Sequence, residues 1–592
     1  MKQFTKVVFA SMMGTCLALT FLFFMTIGIF AGLAGSKSSP EDFDSGKIEE
    51  KSVLKIHFNG PLKDHMKRRD LVSSIFNYDE PPVSGLFEIT KTLEKAASDD
   101  RITGILLHFE GLQSGMANIE ALRRALVNFK ASGKFVMAYS EVYSEKAYML
   151  ASVADEVVLY PKGYFEWDGL YSKRSFLKNT MKKLDVVPQV FRVGKFKSAI
   201  EPLISDKMSE ASREQMDAML TGMWTQVVGY ASEKTGKSVD ELNTLADDMS
   251  VLFAKNALEQ GFVTMLGSFE EVEEKLKELS GVEEKPKYVS WRKLYKDLKD
   301  NESSDSVNKV AVVFTAGGIG TEDRDGEGIS SQSLTKMLHK IRRDEKVKAV
   351  VIRVNSPGGS ALASDVIWTA TNWLKESKPV VTSFGNVAAS GGYYMSAGSQ
   401  YIFAEPTTIT GSIGVFGVTF ATQKFWNDNI GMTFDTVKSH KYADMEQLKR
   451  KLLPEEGQKI QTMIDGIYED FLGVVVNGRQ SLENRDAVHE IAQGRVWVGS
   501  TAKELGLVDE LGGIDEAVAK AAEMANITEY DVVKYPKELS PYEEFFKQMS
   551  DVSVSILSQW VPEPLQKLIK SEEELSLHER VQMRLPFEVE VN

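Results

Sequence analysis

Two glycine-rich turns in the second half of the chain carry the residues best suited to chemistry. One of them, Ala-Ser-Gly-Gly-Tyr-Tyr, contains Ser390 and directly follows a run of residues that predicts a strand. Small neighbours let a substrate backbone approach the serine hydroxyl, and a following helix supplies free amides and a positive dipole end. The turn therefore suits a nucleophile. The simpler interpretation is a tight turn whose serine caps the helix.

The other turn, Asn-Ser-Pro-Gly-Gly-Ser, has Gly358 and Gly359 near its centre. Adjacent glycines after a strand can present backbone N–H groups to a developing oxyanion, and Pro357 would stiffen the approach. Both turns follow the C-terminal ends of predicted parallel strands, where α/β proteins normally bind their ligands. Together they predict a site for nucleophilic catalysis, with Ser390 as nucleophile and the two glycines forming the oxyanion hole.

A serine nucleophile needs a proton acceptor. Lysine can serve when burial in apolar surroundings lowers its pKa toward the working pH. Lys197 has apolar neighbours such as Phe196 that make burial easier, whereas Lys441 follows His440 in the corresponding stretch of the second half. The residues favour Lys197 as the base, leave Lys441 open, and make His440 the candidate for a histidine-based triad.

An internal repeat, displaced by about 245 residues, organises the chain. The apolar runs at 104–107 and 349–352 correspond, and long amphipathic helices are predicted near 209–234 and 454–478. In each copy, short apolar runs alternate with helical patterns, which is typical of parallel strands covered on both faces. The sequence therefore predicts two α/β domains in tandem.

The two copies differ at the serine turn. Glu145 stands in the first copy where the second copy has Ser390, and the glycines of both turns are largely missing from the first copy. Because duplicated units share their core constraints, such differences point to the second copy as the place where a hydroxyl nucleophile would act.

The N-terminal segment predicts a membrane anchor. Residues 7–36 carry no charge, and this run is longer than the roughly 20 residues that a spanning helix needs. Lys2 and Lys6 precede it while acidic residues follow, which predicts a cytoplasmic N-terminus and an extracytoplasmic bulk. Small residues at Gly32 and Ala34 leave cleavage of the anchor open.

These features divide the chain into five predicted segments. They are an anchor at 1–36, a first repeat at 52–295, a polar linker at 296–308, a second repeat at 309–545 and a C-terminal extension at 546–592.

Composition excludes several classes of function. A net charge of −14 argues against a general nucleic-acid binder, which needs a basic face. The one cysteine, Cys16, allows neither an intrachain disulfide nor a Cys-x-x-Cys site. The seven histidines form no His-Glu-x-x-His motif and no closely spaced pair, so we predict no metal site.

Four motifs carry a resemblance to a known family. They are NSPGGS at 355–360, VAASGGYY at 387–394, TGSIGV at 410–415 and RVGKFKSAIEP at 192–202. In this combination the chain resembles the signal peptide peptidase A, or protease IV, family in its long duplicated form, over nearly its whole length. The resemblance implies a tandem duplication of a Clp/crotonase-like α/β domain, preceded by one N-terminal transmembrane helix.

The resemblance also implies a membrane-anchored serine endopeptidase that degrades cleaved signal peptides through an acyl-enzyme, without a cofactor. Ser390 matches the nucleophile, Lys197 the general base from the N-terminal repeat, and Gly358 or Gly359 the oxyanion-hole amide. Ser412 in the TGSIGV motif matches a hydroxyl that orients the lysine. Short, single-copy members of the family resemble the second half, where the base would fall near Lys441.

The expected partners follow from the same resemblance. They are signal peptides and other extended peptides, the lipid bilayer through residues 7–36, and three further copies of the chain in a homotetramer with an internal cavity. The expected location is the bacterial inner membrane, with the catalytic domains on the periplasmic side. The alternatives are a non-catalytic, membrane-tethered crotonase-like scaffold and an acyl-CoA enzyme, whose cytoplasmic substrate fits the predicted orientation poorly.

Overall fold

The computed structural model describes residue 14 and residues 47–66, 83–301, 306–322, 328–445, 449–537 and 581–584. Apart from Gly14, the predicted anchor at residues 1–36 lies outside the described residues. Within the described ranges, no helix combines the length and the apolar character that crossing a bilayer requires.

The first repeat is built on a six-stranded parallel sheet. Its strands are β1 (Ser52–Phe58), β4 (Ile102–Phe109), β5 (Phe135–Tyr143), β6 (Glu156–Phe165), β8 (Met265–Leu266) and β9 (Lys287–Ser290). They lie in the order β8-β6-β5-β4-β1-β9, and every neighbouring pair is parallel. A two-stranded ladder of β2 (Leu62–Lys63) and β3 (Ser84–Gly85) lies outside this sheet.

Helices connect and cover these strands. They are α1 (Leu86–Ser98), α2 (Met116–Lys130), α3 (Glu145–Ala151), α4 (Lys178–Lys183), α5 (Glu201–Ile204), α6 (Glu210–Thr235), α7 (Val239–Asp247), α8 (Ala254–Glu259), α9 (Phe269–Ser280) and α10 (Trp291–Asn301). Leu93 of α1 and Leu122 of α2 are fully buried in the same cluster as Ile105 of β4. The near-continuous apolar runs of the strands are thus explained by burial on both faces.

The second repeat has the same architecture. Its strands are β10 (Lys309–Ala316), β13 (Val347–Ser356), β15 (Val380–Ala389), β16 (Tyr401–Ala404), β17 (Ile409–Gly411), β19 (Val496–Val498), β20 (Glu510–Leu511) and β21 (Asp531–Tyr535). The path β20-β16-β15-β13-β10-β21 reproduces the strand order of the first sheet, while β15 also pairs with β17, which carries antiparallel β19. The predicted tandem α/β duplication is confirmed.

Helices of the second repeat follow a similar plan. They are α11 (Ser331–Arg343), α12 (Ala361–Lys375), α13 (Gly391–Ser396), a π-helix (Phe425–Ile430), α14 (Pro454–Gly478), α15 (Arg485–Ile491), α16 (Gly499–Glu504) and α17 (Ile514–Met524). The long helices α6 and α14 lie where the sequence predicted two long helices.

A third sheet joins the two repeats. Its strands are β7 (Val187–Val193), β11 (Ile319–Gly320), β12 (Ile329–Ser330), β14 (Gly358–Ser360), β18 (Val415–Ala421) and β22 (Val581–Arg584). The order is β12-β11-β14-β22-β18-β7. In it, β7 of the first repeat runs antiparallel to β18 of the second over its whole length. This pairing places the chain that follows β7 against the second repeat.

The predicted linker at 296–308 begins inside a helix. Helix α10 extends to Asn301, because Trp291 and Leu294 on its inner face are buried in the first core. Lys296, Asp297, Lys299 and Asp300, four of the charged residues that suggested a linker, occur in the C-terminal part of this helix, so charge alone did not mark its end.

A buried polar network around Arg353, on β13, ties the repeats together. Its Nε donates to Oδ1 of Asp64 over 2.8 Å, and its Nη2 donates to Oδ1 of Asn118 over 3.0 Å. Asn355 of the same strand donates to the other Asp64 oxygen over 2.6 Å. Since Asp64 and Asn118 belong to the first repeat, the network holds that repeat against the strand that leads into the glycine turn.

We expect Arg353→Met to lower the free energy of unfolding by about 3–5 kcal/mol, because it leaves the buried Asp64 carboxylate without its cation. Arg342→Met is the control: Arg342 stacks at the surface on Trp373, and its loss should cost about 1 kcal/mol or less. Urea denaturation of the full chain measures both. Equal losses would contradict a network that joins the repeats.

Candidate active site

Ser390 lies at the junction of β15 and α13. Its backbone has φ 57° and ψ −115°, a left-handed conformation that is uncommon outside glycine. Its N–H donates to the Gly411 carbonyl over 2.8 Å, and the side chain makes no capping hydrogen bond to the helix. The interpretation of Ser390 as a simple helix cap is therefore wrong, and its hydroxyl points elsewhere.

The amine of Lys197 meets that hydroxyl. Nζ of Lys197 lies 2.8 Å from Oγ of Ser390, and both residues are fully buried. The two residues come from different repeats. Lys197 follows β7, so the antiparallel pairing of β7 with β18 brings the amine to the serine turn.

Burial sets the ionisation of this lysine. Removal from water lowers the pKa of Lys197 well below the ordinary value, because desolvation disfavours the ammonium form. No carboxylate counters this effect within the described part of the chain. A neutral amine at hydrogen-bond distance from a hydroxyl can accept its proton.

Ser412 fixes the position of the amine. Nζ of Lys197 donates to the Ser412 carbonyl oxygen over 3.0 Å and lies 2.9 Å from the Ser412 hydroxyl. Ser412 itself has a positive φ of 51°, and its N–H donates to the Arg495 carbonyl over 2.6 Å. The TGSIGV motif thus holds the lysine through both a backbone and a side-chain oxygen.

A glycine that sequence reasoning missed makes room for the lysine turn. Gly494 has φ 77°, and a Cβ there would lie 2.7 Å from Cβ of Lys197. The neighbouring Gln493 carbonyl accepts the Phe196 N–H over 3.0 Å. Gly494 lies almost 300 positions after Lys197 in the sequence, so only the folded chain shows that it faces the lysine.

The glycine turn packs directly on the serine turn. A Cβ built on Gly358, which has φ 97°, would lie 2.8 Å from the Gly391 nitrogen, and one built on Gly391 would lie 3.2 Å from the Gly359 nitrogen. Only glycines permit this approach of two backbones. The Gly358 N–H donates to the Ser356 hydroxyl over 3.1 Å. Backbone amides of both glycines therefore lie beside the residue that follows Ser390.

The other candidate bases lie elsewhere. Lys441 is exposed, and its Nζ lies 2.6 Å from Oε2 of Glu455, a hydrogen bond that raises its pKa. His440 is also exposed, with Nδ1 3.0 Å from the Ser439 hydroxyl. The structure brings neither residue to Ser390.

The first repeat places a carboxylate where the second has its hydroxyl. Glu145, at the start of α3, is buried and accepts the Asp168 N–H over 3.3 Å. Burial raises its pKa to about 7. No lysine of the described residues is hydrogen-bonded to it, so this position lacks the hydroxyl–amine arrangement of the second repeat.

Two histidines that are distant in sequence meet in the first sheet. His57 on β1 and His108 on β4 are paired in register, with ring centroids 4.7 Å apart and planes inclined by 19°. Together with Glu110 they offer ligand atoms within 4.8 Å of one another. Nε2 of His57 lies 3.1 Å from one Glu110 carboxylate oxygen, and Nε2 of His108 lies 3.6 Å from the other. The two histidines are 51 positions apart in the sequence, so spacing along the chain gave no sign of this contact.

Comparisons with known proteins agree with the duplication. A model of peptidase family S49 matches residues 128–283 and 372–528, once in each repeat. The chloroplastic serine protease SPPA of Arabidopsis thaliana is 32% identical over 550 residues, 91% of this chain and 78% of that protein. Protease 4 of Haemophilus influenzae is 33% identical over 520 residues, 85% of this chain and 83% of that protein. Protease 4 of Salmonella typhi is 35% identical over 467 residues, 77% of this chain and 74% of that protein.

The depressed pKa of Lys197 predicts a pH-dependent cost in stability. At a pH between that lowered pKa and the ordinary value of about 10.4, the unfolded chain carries a proton on Lys197 that the folded chain does not. Folding must then remove this proton, which lowers the free energy of unfolding by about 1.4 kcal/mol for each pH unit below 10.4. Lys197→Met does not bear this cost. Its free energy of unfolding relative to the parent chain should therefore rise as pH falls from about 10 toward the lowered pKa, and should not change with pH above about 10.4. Urea titrations at several pH values measure this difference.

Lys441→Met is the control for that experiment, because the pKa of Lys441 is raised rather than lowered. A difference between Lys197→Met and the parent chain that stays constant from pH 6 to pH 10 would show that Lys197 is charged when folded.

Proposed function

The chain belongs to peptidase family S49, in the long duplicated form of signal peptide peptidase A, and we propose that Ser390 and Lys197 form its catalytic dyad. The protein is a serine protease. The observation that carries the proposal is the 2.8 Å separation of Lys197 Nζ and Ser390 Oγ in fully buried surroundings. A non-catalytic scaffold, the alternative from the sequence, is set aside because the matching family consists of peptidases.

The reaction is acyl transfer. Neutral Lys197 takes the hydroxyl proton of Ser390 while Oγ attacks the carbonyl carbon of a peptide. The oxyanion that forms is held by backbone amides of Gly358 and Gly359, since a charged oxyanion is a stronger acceptor than the Ser356 hydroxyl. The resulting Lys197 ammonium then protonates the leaving amine, and the bond to the released fragment breaks.

Hydrolysis of the acyl-enzyme uses the same groups again. Lys197, neutral once more, takes a proton from water as the water attacks the ester carbonyl. The ammonium returns its proton to Ser390 Oγ, which leaves as a hydroxyl. The Ser412 hydroxyl and carbonyl keep the amine aimed at Oγ through both halves of the reaction.

The substrates in this proposal are signal peptides released from their preproteins, together with other extended peptides. We place the enzyme in the bacterial inner membrane, anchored through residues 7–36, with both repeats on the periplasmic side. The support is the uncharged run of that segment and the lysines that precede it.

The proposed assembly is a homotetramer that encloses the sites and admits extended chains rather than folded proteins. Exposed aromatic side chains on the first repeat are consistent with contacts between copies. The rings of Tyr164 and Phe253, each about half exposed, lie 5.9 Å apart on its surface. Covering apolar surface of this kind with a second copy is favourable, because the surface is removed from water.

We predict that Ser390→Ala and Lys197→Ala each lower kcat/KM for a signal-peptide substrate by about 10³-fold or more, because each removes one member of a single catalytic unit. Lys441→Ala is the matched control and should change kcat/KM less than about twofold, since its exposed amine is hydrogen-bonded to Glu455 and not to Ser390. Size-exclusion chromatography checks that each variant assembles as the parent does. Full activity in Lys197→Ala, with loss in Lys441→Ala, would reassign the base.

Ser412→Ala should lower kcat by about tenfold to a hundredfold, because the amine loses one of the groups that orient it. It should also move the acid limb of the kcat/KM profile to lower pH, since the hydroxyl oxygen helps to stabilise the ammonium form. Ser439→Ala, which removes an exposed hydroxyl, is the control. A loss of activity with an unmoved acid limb would indicate a structural role alone.

A further inference from the structure

A short strand from the C-terminal extension fills a slot in the third sheet. Strand β22 lies between β14 and β18 and is antiparallel to both. Without it the sheet would separate into β12-β11-β14 on one side and β18-β7 on the other, with two unpaired edges one strand apart. Such facing edges are suited to receive an extended peptide, whose backbone hydrogen-bonds to both.

Both walls of the slot belong to the proposed active site. On one side Gly359 is paired with Met583, and Gly358 with Arg584. On the other side β18 begins three residues after Ser412 and is itself paired with β7, which leads to Lys197. A chain lying in this slot therefore runs directly past the serine, its base and the oxyanion glycines.

Met583 occupies the position expected of the residue that a protease cleaves after. A Cβ on Gly358 would collide with the Met583 carbonyl oxygen, and one on Gly391 would lie 3.1 Å from it. That carbonyl thus lies against the two backbones that flank the proposed oxyanion hole. The Met583 side chain is fully buried in the core cluster of the second repeat, where β22 contacts α12 and α13.

We propose that residues 581–584 occupy the peptide-binding cleft of their own chain as a built-in competing segment, with the Met583 carbonyl in the place of a scissile carbonyl. The inference rests on the proposed function, because it takes the surrounding residues to be the active site. It also names a substrate class: an extended peptide that pairs with β14 and β18 and places an unbranched apolar side chain in the pocket of Met583.

Tethering makes this competition strong even when the segment binds weakly. A segment joined covalently to its own site competes as an intramolecular ligand, at an effective concentration set by the length of the connecting chain. A free peptide must displace it, so the segment raises the apparent KM while leaving the chemical step unchanged once substrate is bound. Cutting the Met583–Arg584 bond would proceed as for any substrate, with Oγ acylated by Met583 and a new amine on Arg584.

The kinetic test compares the full-length parent with Met583→Asp, which places a charge in a buried apolar pocket, and with Gln582→Pro, which removes a strand N–H. Each should lower KM for a quenched signal-peptide substrate by about tenfold, with kcat within about twofold. Met432→Asp makes the same change at an exposed methionine and should alter neither constant. Unchanged KM with lowered kcat in both slot variants would show that β22 is a permanent structural strand and overturn the proposal.

A binding test separates this inference from the catalytic proposal, because it needs no turnover. A fluorescein-labelled peptide with the sequence of residues 578–588 is titrated with Ser390→Ala and with the double variant Ser390→Ala/Met583→Asp. Anisotropy should show binding to the double variant at least about tenfold tighter than to Ser390→Ala, and no binding of a peptide with aspartate at the methionine position. Equal binding to both chains, or to neither, would overturn the proposal even if Ser390 and Lys197 prove catalytic.

Discussion

The site depends on one amine that is kept dry. Lys197 contacts a hydroxyl, a carbonyl and the nucleophile candidate Ser390, and no carboxylate among the described residues offsets its burial. An ion pair in the same place would hold the proton on the lysine and remove its value as a base. The absence of a counter-charge is therefore as important for the chemistry as the short distance to Ser390.

The duplication explains how such an amine can be provided. Lys441, on the same repeat as the serine, forms an exposed ion pair with Glu455. Strand β7 instead crosses from the first repeat and pairs with β18, so that the turn carrying Lys197 is enclosed by Gln493, Gly494 and Ser412 of the second. In exchange the first repeat has no hydroxyl of its own at the corresponding position, where Glu145 is buried.

Local patterns in the sequence were enough to predict the repeated sheets, the serine turn and the glycine turn, because short apolar runs and adjacent glycines depend on the backbone geometry nearby. Those patterns could not decide whether Lys197 or Lys441 lies beside Ser390. That choice depends on burial, and burial here is decided by a strand pairing between residues more than two hundred positions apart. The role of Gly494 and the pairing of His57 with His108 depend on tertiary neighbours in the same way. Helix α10 extends into the predicted linker because burial of its apolar face stabilises the helix, although its other face is charged.

The filled slot between β14 and β18 contributes to the burial of the proposed dyad. Ser390 and Lys197 are fully buried in a structure in which β22 lies between β14 and β18. A substrate strand paired in the same register would take the same space, so the desolvation that lowers the pKa of Lys197 is a property of the occupied site. An empty slot would admit water next to Ser390 and allow the amine to regain a proton. Under the proposal, the chain's own segment and a substrate strand are equivalent in this respect, because either one excludes water from Lys197 while it fills the slot.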